Sequence, residues 1–168
     1  IHSIVQNNQK VELVALCDPK DDQINNAKKI FRDKSIELNI SPPSPRIFNE
    51  FNELISAVKE GKLQVDLLVL ATPSGLHSSQ VISAAEVGIN VCTEKPMATT
   101  FSDGIAMVKA CENAGVHLFV VKQNRLNTTL KLVKKQLDIG RFGKLAMVTI
   151  NVFWQRPQSY YDQDEWRG

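Results

Sequence analysis

Asp66-Leu-Leu-Val-Leu-Ala-Thr-Pro73 decides how this chain folds. Its centre is an unbroken aliphatic run, the pattern of a strand covered on both faces, and such strands belong to parallel sheets. Thr72-Pro73-Ser74 closes the strand, since proline has no N–H to give a ladder. Upstream, Phe51, Leu54, Ile55 and Val58 recur at helical spacing until Gly61. Downstream, a helix over 79–87 ends at Gly88, and Asn90-Val-Cys-Thr93 forms the next short strand. Glu94-Lys95-Pro96 follows directly, so an acid and a lysine sit at a strand's carboxyl end, where open α/β sheets bind their ligands. A lysine ammonium there can polarise an oxygen that gains charge.

The same alternation extends in both directions. Val11-Glu-Leu-Val-Ala-Leu-Cys17 reads as a strand closing on Asp18-Pro19. A helix over 22–32 places Ile24, Ala27, Ile30 and Phe31 on one face. Pro42, Pro43 and Pro45 mark a loop before a strand at Arg46-Ile-Phe48. Beyond the Glu-Lys-Pro, a helix over 102–114 ends at Gly115, and the strand Val116-His-Leu-Phe-Val-Val121 delivers Lys122-Gln-Asn-Arg125. Regular β-α-β alternation of this kind predicts an α/β fold, a Rossmann-like doubly wound parallel sheet.

After a helix over 128–137 the pattern changes. Gly140-Arg-Phe-Gly143 reads as a turn, and residues 144–154 alternate, with Leu145, Met147, Thr149, Asn151 and Phe153 on one side. That alternation predicts the first strand of a second, α+β domain with a mainly antiparallel sheet. The division expected is 1–140 for the dinucleotide-binding domain and 141–168 for the start of a substrate and oligomerisation domain.

Composition excludes several classes. Twenty basic against 18 acidic side chains give +2, with no basic block to grip phosphates, so nucleic acid is not the expected partner. The three histidines, His2, His77 and His117, lie far apart without cysteine or carboxylate at ligand spacing, and no metal is expected. Cys17, Cys92 and Cys111 are odd in number and contain no CxxC, which reads as buried small hydrophobes in a reducing compartment. No stretch resembles a leader or a membrane span of about 18 apolar residues, so the expected location is cytoplasmic.

None of the eight glycines forms GxGxxG. In dinucleotide folds the ribose-binding acid lies roughly 20 residues beyond that fingerprint. If Asp18 is that acid, the first strand and its phosphate-cradling loop precede Ile1, and residues 1–6 end the first helix. The expectation is therefore a fragment lacking both termini, in which the strands at 11–17 and 67–71 carry unpaired edges.

Asp18-Pro19, Ala71-Thr-Pro-Ser-Gly-Leu-His77, Glu94-Lys-Pro96 and Gln123-Asn-Arg125 occur in the order and spacing of the Gfo/Idh/MocA family of NAD(P)-dependent sugar oxidoreductases. Within that family, Val152-Phe-Trp-Gln-Arg-Pro-Gln-Ser-Tyr-Tyr161 and Trp166-Arg-Gly168 resemble the enzymes that oxidise the 3-hydroxyl of UDP-N-acetylglucosaminuronic acid for bacterial surface polysaccharides.

The resemblance implies NAD as cofactor. Asp18 would receive the adenosine ribose hydroxyls and repel a 2′-phosphate, which disfavours NADP; its plain alternative is a turn or helix-capping aspartate. Thr72, Pro73, His77 and Gln123 would line the dinucleotide cleft, with a capping or half-buried structural role the alternative for His77. Glu94 would hold the nicotinamide ribose. Lys95 would bind both cofactor and the hydroxyl undergoing oxidation, its alternative being a surface lysine before a turn proline. The family often has a cis peptide before this proline. Asn124, Arg125, Arg156, Tyr160, Tyr161 and Arg167 would contact the nucleotide sugar, arginines pairing with its anions and aromatics stacking on its rings. A histidine farther along serves the family as acid/base, which puts turnover by a fragment in doubt. The family commonly forms homo-oligomers through the second domain. Two other functions fit the same residues: a dehydrogenase of free sugars or inositol, and a non-catalytic nucleotide-binding regulator.

Overall fold

The computed structural model describes residues 2–7 and 9–163. By its internal contacts the chain divides into two compact units, Ile1–Val120 and Val121–Gly168.

The first unit alternates helix and strand throughout: α1 (His2–Gln6), β1 (Ala15–Cys17), α2 (Asp21–Glu37), β2 (Arg46–Phe48), α3 (Phe51–Lys59), β3 (Leu67–Leu70), α4 (His77–Glu86), β4 (Asn90–Thr93), α5 (Phe101–Ala114) and β5 (Leu118–Val120). All strand pairs are parallel, as the aliphatic runs require. β1 pairs with β2, and β3, β4 and β5 form a second ladder in that order. The register sets Leu70 opposite Thr93 and Thr93 opposite Val120. Among the described residues β1 and β3 each pair on one side only, so each keeps an open edge.

Helix ends follow local chemistry. The Thr100 hydroxyl caps α5 by accepting from the Asp103 N–H at 3.1 Å, and Gly115 ends it with a left-handed φ of 68° that a side chain would strain. α2 runs five residues beyond the expected Arg32. Residues 33–37 contain no breaker, and the stop comes at Asn39, whose φ of 53° is a left-handed exit that asparagine tolerates.

One core gathers Leu70, Val81, Ala84, Ile89, Val91, Met107 and Cys111, with α4 and α5 against one face of β3–β5. Separate clusters pack Phe31 and Ala27 of α2 near Leu16, and Leu54 and Ala57 of α3 against Phe48. Ile55 and Val58 touch both the Phe48 cluster and the Leu70 cluster, so α3 ties the two ladders together. Double burial of the Leu67–Leu70 strand is not found: Leu67 and Val69 are exposed, as is Phe119 two strands away, because within this unit α4 and α5 cover only the opposite face.

The second unit contains α6 (Thr128–Asp138), capped by Asn127 through its side-chain oxygen, and the short α7 (Gln158–Tyr161). Residues 144–154, expected as the first strand of a second sheet, are not assigned to a strand among the described residues. Alternation supplies only a sidedness; a strand also needs a ladder partner, and none pairs with this segment among the described residues. No described helix is long and apolar enough to cross a membrane.

Candidate active site

Parallel strands aim their last residues the same way, and in the first unit the expected site residues follow strand ends. Asp18 comes directly after β1. Its Oδ1 accepts the Lys20 N–H at 2.9 Å, a turn that fixes the carboxylate, while its remaining lone pairs suit two vicinal hydroxyls. The turn role and the ribose role are thus compatible in one side chain.

Thr72 and Pro73 follow β3, and Glu94 and Lys95 follow β4. The Glu94 N–H donates to the Leu70 carbonyl at 3.0 Å, which sets the two loops side by side. Glu94 is half-buried, and its Oε2 accepts the Lys95 N–H at 3.3 Å. Lys95 is exposed. The Lys95–Pro96 peptide bond is cis.

His77 opens α4 and is only 1 % exposed. Its Nδ1 lies 2.9 Å from the Pro96 carbonyl oxygen and its Nε2 lies 2.9 Å from the Thr72 carbonyl oxygen. Both ring nitrogens therefore face the backbone of the site loops. Gln80, one turn later and also buried, accepts the Thr72 hydroxyl at 2.6 Å. The sequence reading missed Gln80. Its signal was a polar residue three positions after His77, on the same helix face.

In the second unit Gln123, Asn124 and Arg125 form an exposed 3-10 turn. The Arg156 guanidinium lies 4.3 Å from the Tyr160 ring centre and 5.2 Å from that of Trp154. Tyr161 meets Tyr160 edge-on at 5.2 Å. The unit thus gathers Arg156, Tyr160 and Tyr161, and adds Trp154 as a partner no site expectation included. Flat guanidinium and aromatic surfaces of this kind suit anions and rings. Arg167 and Trp166 lie outside the described residues.

The thiols are unlike the buried trio expected. Cys111 is buried, Cys92 half-buried and Cys17 exposed, all of them free. Desolvation pushes the Cys17 thiol up, followed by the carboxylates of Asp18, Glu50 and Glu53. Desolvation and then Glu94 do the same to Cys92. Such thiols are poor nucleophiles. No group of three or more His, Cys, Asp and Glu able to hold a metal occurs among the described residues.

Residues 1–122 match the Gfo/Idh/MocA profile, described as an oxidoreductase family with an NAD-binding Rossmann fold. The chain is similar over its whole length to the WlbA dehydrogenase of Bordetella pertussis, solved with NADH and UDP-GlcNAcA, at 46 % identity and a TM-score of 0.85. WlbA of Chromobacterium violaceum, solved with the same two ligands, is similar over 99 % of the chain at 38 % identity and a TM-score of 0.80. D-apiose dehydrogenase of Paraburkholderia graminis is 33 % identical over 79 % of the chain. The chain spans 46 % and 43 % of the two WlbA chains and 31 % of the apiose enzyme.

Proposed function

The chain belongs to the Gfo/Idh/MocA oxidoreductase family, and from that premise we propose that its protein is an NAD-dependent dehydrogenase of a UDP-N-acetylglucosaminuronate-like nucleotide sugar, acting at the C3 hydroxyl. The observation that carries this reading is the 46 % identity and whole-chain superposition with a WlbA dehydrogenase solved with NADH and UDP-GlcNAcA. The domains proposed are 1–140 for the cofactor and 141–168 for the beginning of the substrate domain.

The residues present fit a dinucleotide. Asp18, already turned by Lys20, offers acceptors for the adenosine ribose and a negative charge against a 2′-phosphate. Thr72, Pro73 and Glu94 stand at neighbouring strand ends, where the nicotinamide half would lie. When bound, NAD would supply the acceptor for hydride from the alcohol carbon.

Lys95 would hold the hydroxyl oxygen. As hydride departs and the hydroxyl proton passes to a base, negative charge grows on that oxygen, and the ammonium offsets it in the transition state. Glu94 would orient Lys95 through the contact between its carboxylate and the Lys95 N–H. Gln123 would complete the cofactor cleft. Asn124, Arg125, Arg156, Tyr160, Tyr161 and Arg167 would receive the nucleotide sugar, Arg156 meeting the diphosphate while held by its aromatic neighbours. A homo-oligomer in the cytoplasm is the state this reading implies.

The second reading, a dehydrogenase of free sugars, is favoured by the similarity to D-apiose dehydrogenase. Calorimetric titration of the protein with UDP separates the two. Saturable UDP binding that competes with the sugar nucleotide is expected; no heat and no competition would sink the nucleotide-sugar substrate and leave the free-sugar reading.

A further inference from the structure

His77 is buried and yet turns both ring nitrogens towards the loops that carry the proposed chemistry. We infer that His77 is a positioning residue which fastens the Thr72 loop to the Lys95-Pro96 loop and thereby fixes where the Lys95 ammonium stands. The inference rests on the dehydrogenase reading for what Lys95 does, and on hydrogen-bond geometry for what His77 does.

Backbone pairing between these loops ends at the Glu94 N–H and the Leu70 carbonyl. Past that point Ala71, Thr72, Lys95 and Pro96 leave the ladder, and a loop without a partner samples many arrangements. His77 reaches both: its two nitrogens lie 2.9 Å from the carbonyl oxygens of Thr72 and Pro96. Carbonyls only accept, so the ring must donate. A neutral imidazole donates to one of them at a time and an imidazolium to both.

The support behind the ring is rigid. His77 begins α4, whose Val81, Ala84 and Ala85 are buried in the main core, so the imidazole is anchored on a packed helix. Gln80 adds a second tie from the same face by accepting the Thr72 hydroxyl at 2.6 Å. The Pro96 carbonyl belongs to the residue immediately after Lys95, so a hydrogen bond there restrains the chain one residue from the lysine. With His77 buried and both ring nitrogens facing loop carbonyls, the action inferred for it runs through Lys95. Small displacements of a reacting group are costly, on the order of a hundredfold in rate for about 1 Å.

The two nitrogens can be replaced separately. An asparagine amide reaches about as far as Nδ1, on the Pro96 side, and a glutamine amide about as far as Nε2, on the Thr72 side. Phenylalanine keeps the ring volume and removes both donors. In the intact protein, His77→Phe, His77→Asn and His77→Gln are compared by hydrogen exchange over residues 94–99 and 71–76, and by kcat and KM. The expected result is faster exchange in both loops of His77→Phe, with exchange in the α5 core unchanged. Its kcat should fall about ten- to a hundredfold while KM moves little. His77→Asn should recover kcat and protection over 94–99, and His77→Gln protection over 71–76.

A folded His77→Phe with parental exchange and kcat would overturn the inference. If His77→Phe does not fold, indistinguishable Asn and Gln variants would overturn it as well. The exchange measurement needs no turnover, so it stands apart from the assigned reaction: an active Lys95→Ala would refute the role of Lys95 and leave the clamp itself to be judged by exchange.

Discussion

The backbone N–H of Glu94 donates to the carbonyl of Leu70 at 3.0 Å, carrying the β3–β4 ladder one residue past its last registered pair, Leu70 and Thr93. This bond brings the loop bearing Thr72 alongside the loop bearing Lys95. The roles proposed for Thr72, Glu94 and Lys95 depend on those two loops being neighbours.

Asp18 tests the cofactor end. If its carboxylate receives the adenosine ribose, Asp18→Asn should weaken NADH binding by about 1–3 kcal/mol, the cost of losing charged hydrogen bonds. The same change should narrow the preference for NADH over NADPH, because the charge opposing a 2′-phosphate is gone. Fluorescence titration with both cofactors measures this, and an unchanged ratio would contradict the assignment.

Met107 is 0 % exposed and packs among Val81, Ile89 and Val91. Truncation to alanine removes buried thioether and methylene groups and leaves a cavity, so Met107→Ala should lower unfolding stability by about 2–5 kcal/mol in urea titrations. Met107→Leu conserves volume and should cost less than about 1.5 kcal/mol. Equal effects of the two would show that the site is not packed as described.

Cys111 gives a pH test. Burial pushes its thiol above the ordinary range, so the folded state holds the proton more tightly than the unfolded chain does. The stabilisation is complete below the unfolded pKa, about 8.5, and is lost as pH rises from there through the higher folded value. Urea titrations at rising alkaline pH should therefore show a steeper fall for the parent protein than for Cys111→Ala. Parallel curves would contradict the burial argument.

The strand ends were legible because their signals are local. Leu67–Leu70 and Asn90–Thr93 are short apolar runs bounded by proline, asparagine or glycine, and the residues after them needed no tertiary knowledge to place. The expected extent of α2 fell short at Arg32 because no breaker marks the true end; Asn39 stops the helix by adopting a conformation that its sequence merely allows. The partners of His77 were out of reach, since Pro96 lies nineteen positions away and a side chain's hydrogen bonds to distant carbonyls leave no periodic trace. Residues 144–154 show the converse. Their alternation is clear, but ladder formation is decided by a partner, not by the segment itself.

The account centres on Lys95 as the cation that stabilises the developing alkoxide, and its most direct test is turnover of UDP-N-acetylglucosaminuronate by Lys95→Met, with NADH binding measured in parallel. Loss of about a hundred- to a thousandfold in kcat with cofactor binding retained is expected, as for removal of one positioned transition-state donor. A Lys95→Met protein that binds NADH and turns over at the parental rate would contradict the central claim.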